Sequence, residues 1–262
     1  MLAARARRQA SRLPFDFMRH GKSILAVVPA RSGSKGIPEK NMQVIAGKSL
    51  IGWAAVVLKS LECRWIDHAI ISTDSPTYAE EAKHHGLEVP FLRPATLSQD
   101  STGAVETLQH ALTEAEKCYG QRFEVVLIIE PTCPFRLPED LTACVDLLVN
   151  EGADSVVSVN RADTKFHPHK LLKIEEARLV FYSGAGAGVK QRQSLSPVYY
   201  RNGACYALTR QCLLEQGAIF TANTRAYVVD RILLNIDEPE ELELARYYAE
   251  VRKLPMGDRK SL

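Results

Sequence analysis

Two apolar patterns alternate along the chain. Short unbroken runs, "SILAVVPA" over 23–30, "IDHAIISTD" over 66–74, "FEVVLIIEP" over 123–131 and "DSVVSVNRA" over 154–162, predict strands buried on both faces. Between them, apolar residues three and four apart predict helices in "SLIGWAAVVLKSL" (49–61), "SPTYAEEAKHHG" (75–86), "STGAVETLQHALTEAEKCYG" (101–120) and "LPEDLTACVDLLVNEG" (137–152). Ser49 and Ser75 are placed to cap two of these helices, with Pro76 at a first helical position and Gly86 at an end. "EVPFLRP" (88–94) reads as another extended piece. Residues 201–217 read as a strand and a short helix, 225–231 as a strand, and 232–251 as a strand, an acidic turn and a last helix. This order predicts an α/β fold, Rossmann-like, with a mostly parallel doubly wound sheet and helices on both faces. In such sheets ligands bind beyond the C-terminal strand ends.

The rhythm breaks over 163–200, where short strand-like pieces surround a "GAGAG" loop without a clear helix. That stretch is too short for a core of its own, so it reads as an arm that packs on a neighbouring subunit, and a homodimer is expected. The predicted organisation is a flexible basic extension (1–22), an α/β core (23–162), the dimerisation insertion (163–200), a return to the core (201–250) and a tail (251–262).

Charge and cysteine content narrow the partners. With 33 Lys+Arg against 31 Asp+Glu, no global field recruits nucleic acid or an anionic membrane, so any anion site is local. The six cysteines are widely spaced without a CxxC pair, the pattern of thiols in a reducing compartment. No stretch reaches the ~18 apolar residues of a membrane span. Residues 1–22 carry five arginines and a lysine against one acid, without the apolar core of a secretory signal; a transit peptide, an upstream start or a loose tail each fit, with Met18 as an internal start. A cytoplasmic protein is expected.

The local cation site is "VVPARSGSKGIPEKNM" (27–42), which follows the first strand. It is neither a P-loop nor a GxGxxG fingerprint: the glycine required five positions before Gly47 or Gly21 is Met42 or Asp16, and Gly33 and Gly36 form only GxxG. Its backbone N–H groups over 32–36 can wrap an anion while Arg31, Lys35 and Lys40 add charge, which suits a nucleoside triphosphate; a solvated glycine turn is the plain alternative.

"ARSGSKGIPEKN" resembles the nucleotide loop of the CMP-sugar synthetases, the N-acylneuraminate cytidylyltransferases and their legionaminate and pseudaminate relatives. "ISTDS", "PFLRPATLSQD", "IIEPTCPFR", "QRQ", "YRNGACY" and "NIDEPEEL" follow in family order, so the likeness spans about 24–248. The resemblance implies a Rossmann-like domain with a dimerising arm that joins CTP to the anomeric hydroxyl of an acidic 2-keto sugar, a nonulosonic acid, releasing pyrophosphate with Mg2+ as cofactor. By resemblance Ala30, Arg31, Ser34, Lys35, Lys40, Asn41, Asp74 and Arg93 are nucleotide-binding. Arg31, Lys40 and Asp237 are the catalytic candidates, Lys40 being the first choice for the cation that meets the charge of the transition state. Lys35 is also readable as a surface lysine, Arg93 as half of a salt bridge, and Asp74 as a helix cap. The metal candidates are Asp237 and Asn235, where the family has two aspartates. Asn offers a carbonyl oxygen without a charge, and an acidic helix start is the structural alternative there. Glu130 stands where the family has glutamine, open to a role as metal ligand or as partner of a sugar donor group. Lys170, Arg192, Asn202, Tyr206 and Phe220 match sugar-side positions; Ile219 replaces one of an aromatic pair. His167 and His169 read as turn residues. The alternatives are a 3-deoxy-manno-octulosonate cytidylyltransferase and a catalytically idle nucleotide-binding homologue.

Overall fold

The computed structural model describes residues 19–184, 195–253, 255 and 256. Its first strand, β1 (Ile24–Pro29), is the apolar run read from the sequence, and it is buried on both faces. Ile24, Ala26 and Val28 enter one core with apolar residues of 51–58, 78–82 and 141–148, while Leu25 and Val27 enter a second core with those of 108–115. After the basic loop, a two-stranded hairpin of β2 (Val44–Ile45) and β3 (Lys48–Ser49), absent from the sequence reading, leads into α1 (Leu50–Leu58). Ser49 caps α1 by accepting from the Gly52 amide at 2.9 Å. Next come β4 (His68–Ser72) and α2 (Pro76–His84), capped by Ser75.

The piece at 88–94 is not a strand; it touches the sheet through one bridge, Ile70 to Glu88. Two prolines, Pro90 and Pro94, remove the amides a ladder would need. The chain continues through α3 (Ala104–Tyr119), β5 (Val125–Ile128), α4 (Pro138–Asn150) and β6 (Ser155–Arg161). The insertion forms the antiparallel hairpin β7 (Leu172–Glu175) and β8 (Arg178–Phe181), which is exposed along most of its length. The return consists of β9 (Tyr199–Thr209), α5 (Arg210–Leu214), β10 (Thr224–Val228) and α6 (Pro239–Glu250). Residues 232–236, expected as a strand, are irregular and seal a third core against α6 through Leu233 and Ile236.

The six strands run in the order β10-β6-β9-β5-β1-β4, parallel except for β9, which is antiparallel to both of its neighbours. Helices cover both faces, so the sheet is mostly parallel and doubly wound, as expected. Residues 19–22 belong to the body: Arg19 and His20 pair with Asp146 of α4, and Lys22 pairs with Glu124. No described helix is long and apolar enough to cross a membrane.

One buried pair ties α4 to the far edge of the sheet. The Asp140 carboxylate, fully buried, accepts from the Leu137 amide at 2.7 Å and takes the Arg231 guanidinium. Asp140→Ala leaves that guanidinium unpaired and the helix uncapped, so a loss of about 3 kcal/mol is expected, measured by urea unfolding. A loss below ~1 kcal/mol would show the pair to behave like a surface contact.

Candidate functional site

Three parallel strands, β4, β1 and β5, end at the same rim, and the basic loop leaves from the middle one. Its first turn is fastened to the β4 end: the Ala30 amide donates to Ser72 O at 3.0 Å, and Asp74 accepts from the Ser32 amide at 2.9 Å and from the Ser32 hydroxyl. The Asp74 carboxylate is therefore committed to the loop, and the cap of α2 is Ser75. Burial pushes Asp74 up; the Ser32 hydrogen bonds and the nearby Arg93 charge outweigh it and hold the carboxyl below its ordinary range.

The loop's far side is pressed against residues 235–238. A Cβ on Gly36 would lie 2.7 Å from the Asp237 main-chain oxygen, so only glycine permits this approach. Lys40 Nζ then sits 2.7 Å from Asp237 Oδ1. Asn41 is buried and donates to Arg31 O at 3.4 Å. Arg31 and Lys35 both pair with Asp100, at 2.7 and 2.5 Å.

Two cavities open on this rim and share the wall formed by Pro29, Arg31 and Glu130. One, of about 290 Å3, is lined further by Ser34, Lys40, Asn41, Thr132, Asn235 and Asp237. The other, of about 280 Å3, is lined by Arg93, Thr107, Arg201, Tyr206 and Ile219 among others. Arg93 is buried; its Nη1 donates to Thr107 Oγ1 at 3.4 Å, while Nε and Nη2 have no hydrogen-bond partner among the described residues. Burial lowers its pKa and the Asp74 charge opposes that shift. An unsatisfied guanidinium on a cavity wall is built to receive an acceptor from a ligand.

Glu130 follows β5 at the seam of the two cavities. The fully buried Arg136 fixes its main chain, donating to Glu130 O, to Ala204 O at 2.8 Å and to Gly203 O at 3.2 Å. Burial raises the Glu130 carboxyl; Arg136 and a hydrogen bond from Tyr206 oppose this, Asp237 adds to it, and the net shift is upward. A Cβ on Gly203, at φ +72°, would lie 2.5 Å from Glu130 Oε2 and 3.1 Å from Asn235 Oδ1, so both oxygens face one spot. Asn235 Oδ1 accepts from Thr132 Oγ1 at 2.5 Å, and its amide donates to Asp237 Oδ2 at 3.2 Å. Among the described residues no group of three or more His, Cys, Asp or Glu gathers to hold a metal.

The sugar-side candidates separate. Tyr206 lines the second cavity, and burial with the neighbouring Glu130 raises its pKa. Asn202 is buried elsewhere, accepting from Ser158 Oγ at 2.6 Å and the Ala204 amide at 3.1 Å and donating to Asn160 Oδ1 at 2.9 Å. Phe220 is exposed, with the Arg201 guanidinium 5.7 Å above its ring. Lys170 lies in the turn before β7 and lines neither cavity. Arg192 is outside the described residues. His167 and His169 form a turn in which the His169 amide donates to His167 Nδ1 at 3.1 Å. Arg136 and Arg201 are site residues that the sequence motifs "IIEPTCPFR" and "YRNGACY" contain but do not mark out.

A family model described as cytidylyltransferase matches residues 25–257. The chain is 31% identical to the CMP-N,N'-diacetyllegionaminic acid synthase of Legionella pneumophila, over 82% of this chain and 90% of that protein. It is 29% identical to the N-acylneuraminate cytidylyltransferase of Streptococcus agalactiae serotype V, over 83% of this chain and 51% of that protein. The solved structure of CMP:2-keto-3-deoxy-manno-octonic acid synthetase complexed with CTP matches with a TM-score of 0.63 at 16% identity, over 86% of this chain and 97% of that one.

The raised Glu130 carboxyl gives a pH signature. An acid whose folded-state pKa lies above its unfolded value costs stability once the pH exceeds both. Glu130→Gln removes that cost, so the variant is expected to melt higher than the parent at pH 8. The gap should close as the pH falls below the unfolded value of about 4.3. Thermal melts across pH check this; a lower melting temperature for the variant at pH 8 would show the charge to be stabilising.

Proposed function

The chain belongs to the cytidylyltransferase family, and we propose that it transfers CMP from CTP to the anomeric hydroxyl of a nonulosonic acid of the N-acetylneuraminate or legionaminate type, releasing pyrophosphate. The observation that carries this reading is the pair of cavities meeting at Arg31 and Glu130. One holds Arg31 and Lys40 with Asn235 and Asp237, as a triphosphate requires; the other holds a buried, unsatisfied Arg93 with Tyr206 and Arg201. The likeness to legionaminate and neuraminate enzymes supplies the acceptor class.

In this reading the acceptor oxygen attacks the α-phosphorus, a new P–O bond forms, and the bond to the β-phosphate oxygen breaks. Charge builds on the phosphoryl oxygens and on the leaving pyrophosphate. Lys40 and Arg31 stand beside the cavity that takes that charge, and Asp237 holds Lys40 in place, so little reorganisation of that cation is needed as the charge develops. Gly36 keeps the loop close to residue 237. The second cavity then takes the nucleoside at Arg93 and the acceptor at Glu130, Tyr206 and Arg201.

The donor set at 235–237 fits Mg2+, which favours hard oxygens and is held through one or two carboxylates with substrate phosphates. Asp237 would supply the carboxylate and Asn235 its amide oxygen, with Glu130 facing the same spot. When bound, the ion neutralises triphosphate charge.

A homodimer built through the insertion belongs to the same proposal. The β7–β8 hairpin leaves Leu172, Ile174, Leu179 and Phe181 exposed, Ile174 by 75%, a face that suits a second copy of the chain. A reducing, cytoplasmic setting suits the six unpaired cysteines, five of them buried.

Pyrophosphate release from CTP with neuraminate, legionaminate, pseudaminate and octulosonate acids tests the activity. Turnover with a nonulosonic acid is expected; tight CTP binding without turnover on any acid would sink the enzyme reading. Lys40→Ala is expected to lower kcat at least ~100-fold with an unchanged melting temperature, and near-normal turnover would remove Lys40 from the mechanism. Light scattering should give a dimer for the parent and a monomer for the Ile174→Asp, Leu179→Asp double variant; a dimeric variant would place the interface elsewhere.

A further inference from the structure

The two leading cations of the basic loop share one carboxylate. Arg31 Nη2 lies 2.7 Å from Asp100 Oδ1, and Lys35 Nζ lies 2.5 Å from Asp100 Oδ2, so each oxygen takes one cation as two oxygens of a phosphate would. Asp100 is carried by the segment between the short turn Ala95–Leu97 and α3. The hydrogen bonds described for residues 98–102 are local: Ser98 bonds to Ala95 O and Pro94 O, and Thr102 to Gln99 O and Thr96 O. The long-range attachment described for this segment is therefore the pair of contacts that Asp100 makes. Two and three residues further on, Thr102 and Gly103 line the Arg93 cavity.

We propose that Asp100 is a built-in stand-in for phosphate: it occupies Arg31 and Lys35 until a triphosphate displaces it, and its release frees the 98–102 segment and so reshapes the wall of the neighbouring cavity. This rests on the triphosphate reading of the loop. The side chain of Asp100 is half exposed, as is that of Arg31, and Lys35 is more exposed still. Ion pairs in such a setting are weak and screened by salt, so they yield to a ligand that brings more charge. A phosphate chain offers several oxygens to the same two cations, together with Lys40 on the far side of the loop. Arrival of the triphosphate then precedes full shaping of the Arg93 cavity, because Thr102 lies in the segment that moves and Gly103 follows it.

The test is calorimetric titration of the parent, Asp100→Asn and Asp100→Ser with CTP and, separately, with inorganic tripolyphosphate. Both variants are expected to bind both ligands about three- to tenfold more tightly than the parent, in line with losing two weak competing ion pairs. That gain should shrink in 0.5 M salt and in a Lys35→Met background. Unchanged or weaker binding by both variants overturns the proposal and makes Asp100 a residue that positions the cations instead. If CTP fails to bind the parent while tripolyphosphate still binds more tightly to the variants, the nucleotide reading falls and the stand-in role survives. Melting temperatures of the variants establish that all three chains are folded.

Discussion

The buried Arg136 guanidinium is the interaction on which the site depends. It fastens the main-chain oxygens of Glu130, Gly203 and Ala204, and so joins the end of β5 to the irregular part of β9. Burying a charge is costly unless polar groups meet it, and here three carbonyl dipoles do so with Glu130 and Asp140 nearby. Because the chain beyond β5 is fixed in this way, Glu130 faces the seam between the two cavities. Cys133 and Phe135 are carried into the third core by the same turn, which brings residues 233–236 and α6 against the rim. The cation and carboxylate pairs of the loop are arranged around that fixed point.

Most of the fold was legible because its signals are local. An unbroken apolar run between turn residues announced β1, and a serine before a helical pattern announced the starts of α1 and α2, where the structure shows both caps. The stretches at 88–94 and 232–236 misled for the opposite reason: their apolar residues serve loops packed on the sheet, and composition does not separate that use from a strand. The small β2–β3 hairpin left no apolar pattern long enough to notice.

The site was legible as residue types more than as partners. Strand alternation would put Asn202 and Tyr206 on one face, yet only Tyr206 reaches the cavity. The register between β6 and β9 shifts between Val157 and Val159, and Gly203 takes a left-handed conformation there. A bulge changes which face each side chain meets, so Arg201 and Tyr206 share the cavity while Asn202 turns inward to Ser158 and Asn160. No pattern in "YRNGACY" marks that shift except the glycine itself. Asp74 shows the same limit: its residue type suited a ligand contact or a cap, and the fold uses it to hold Ser32.

The wall shared by Arg31 and Glu130 has a consequence for how this protein can change. Two substrates housed behind separate walls are open to independent tuning, one mutation at a time. Here a substitution at Arg31 or Glu130 alters both rooms together, so a change that suits a new occupant of one perturbs the other in the same step. Diversification has a freer path through Phe220 and the described part of the insertion, which line neither room; the partition itself is the part of the site under joint constraint.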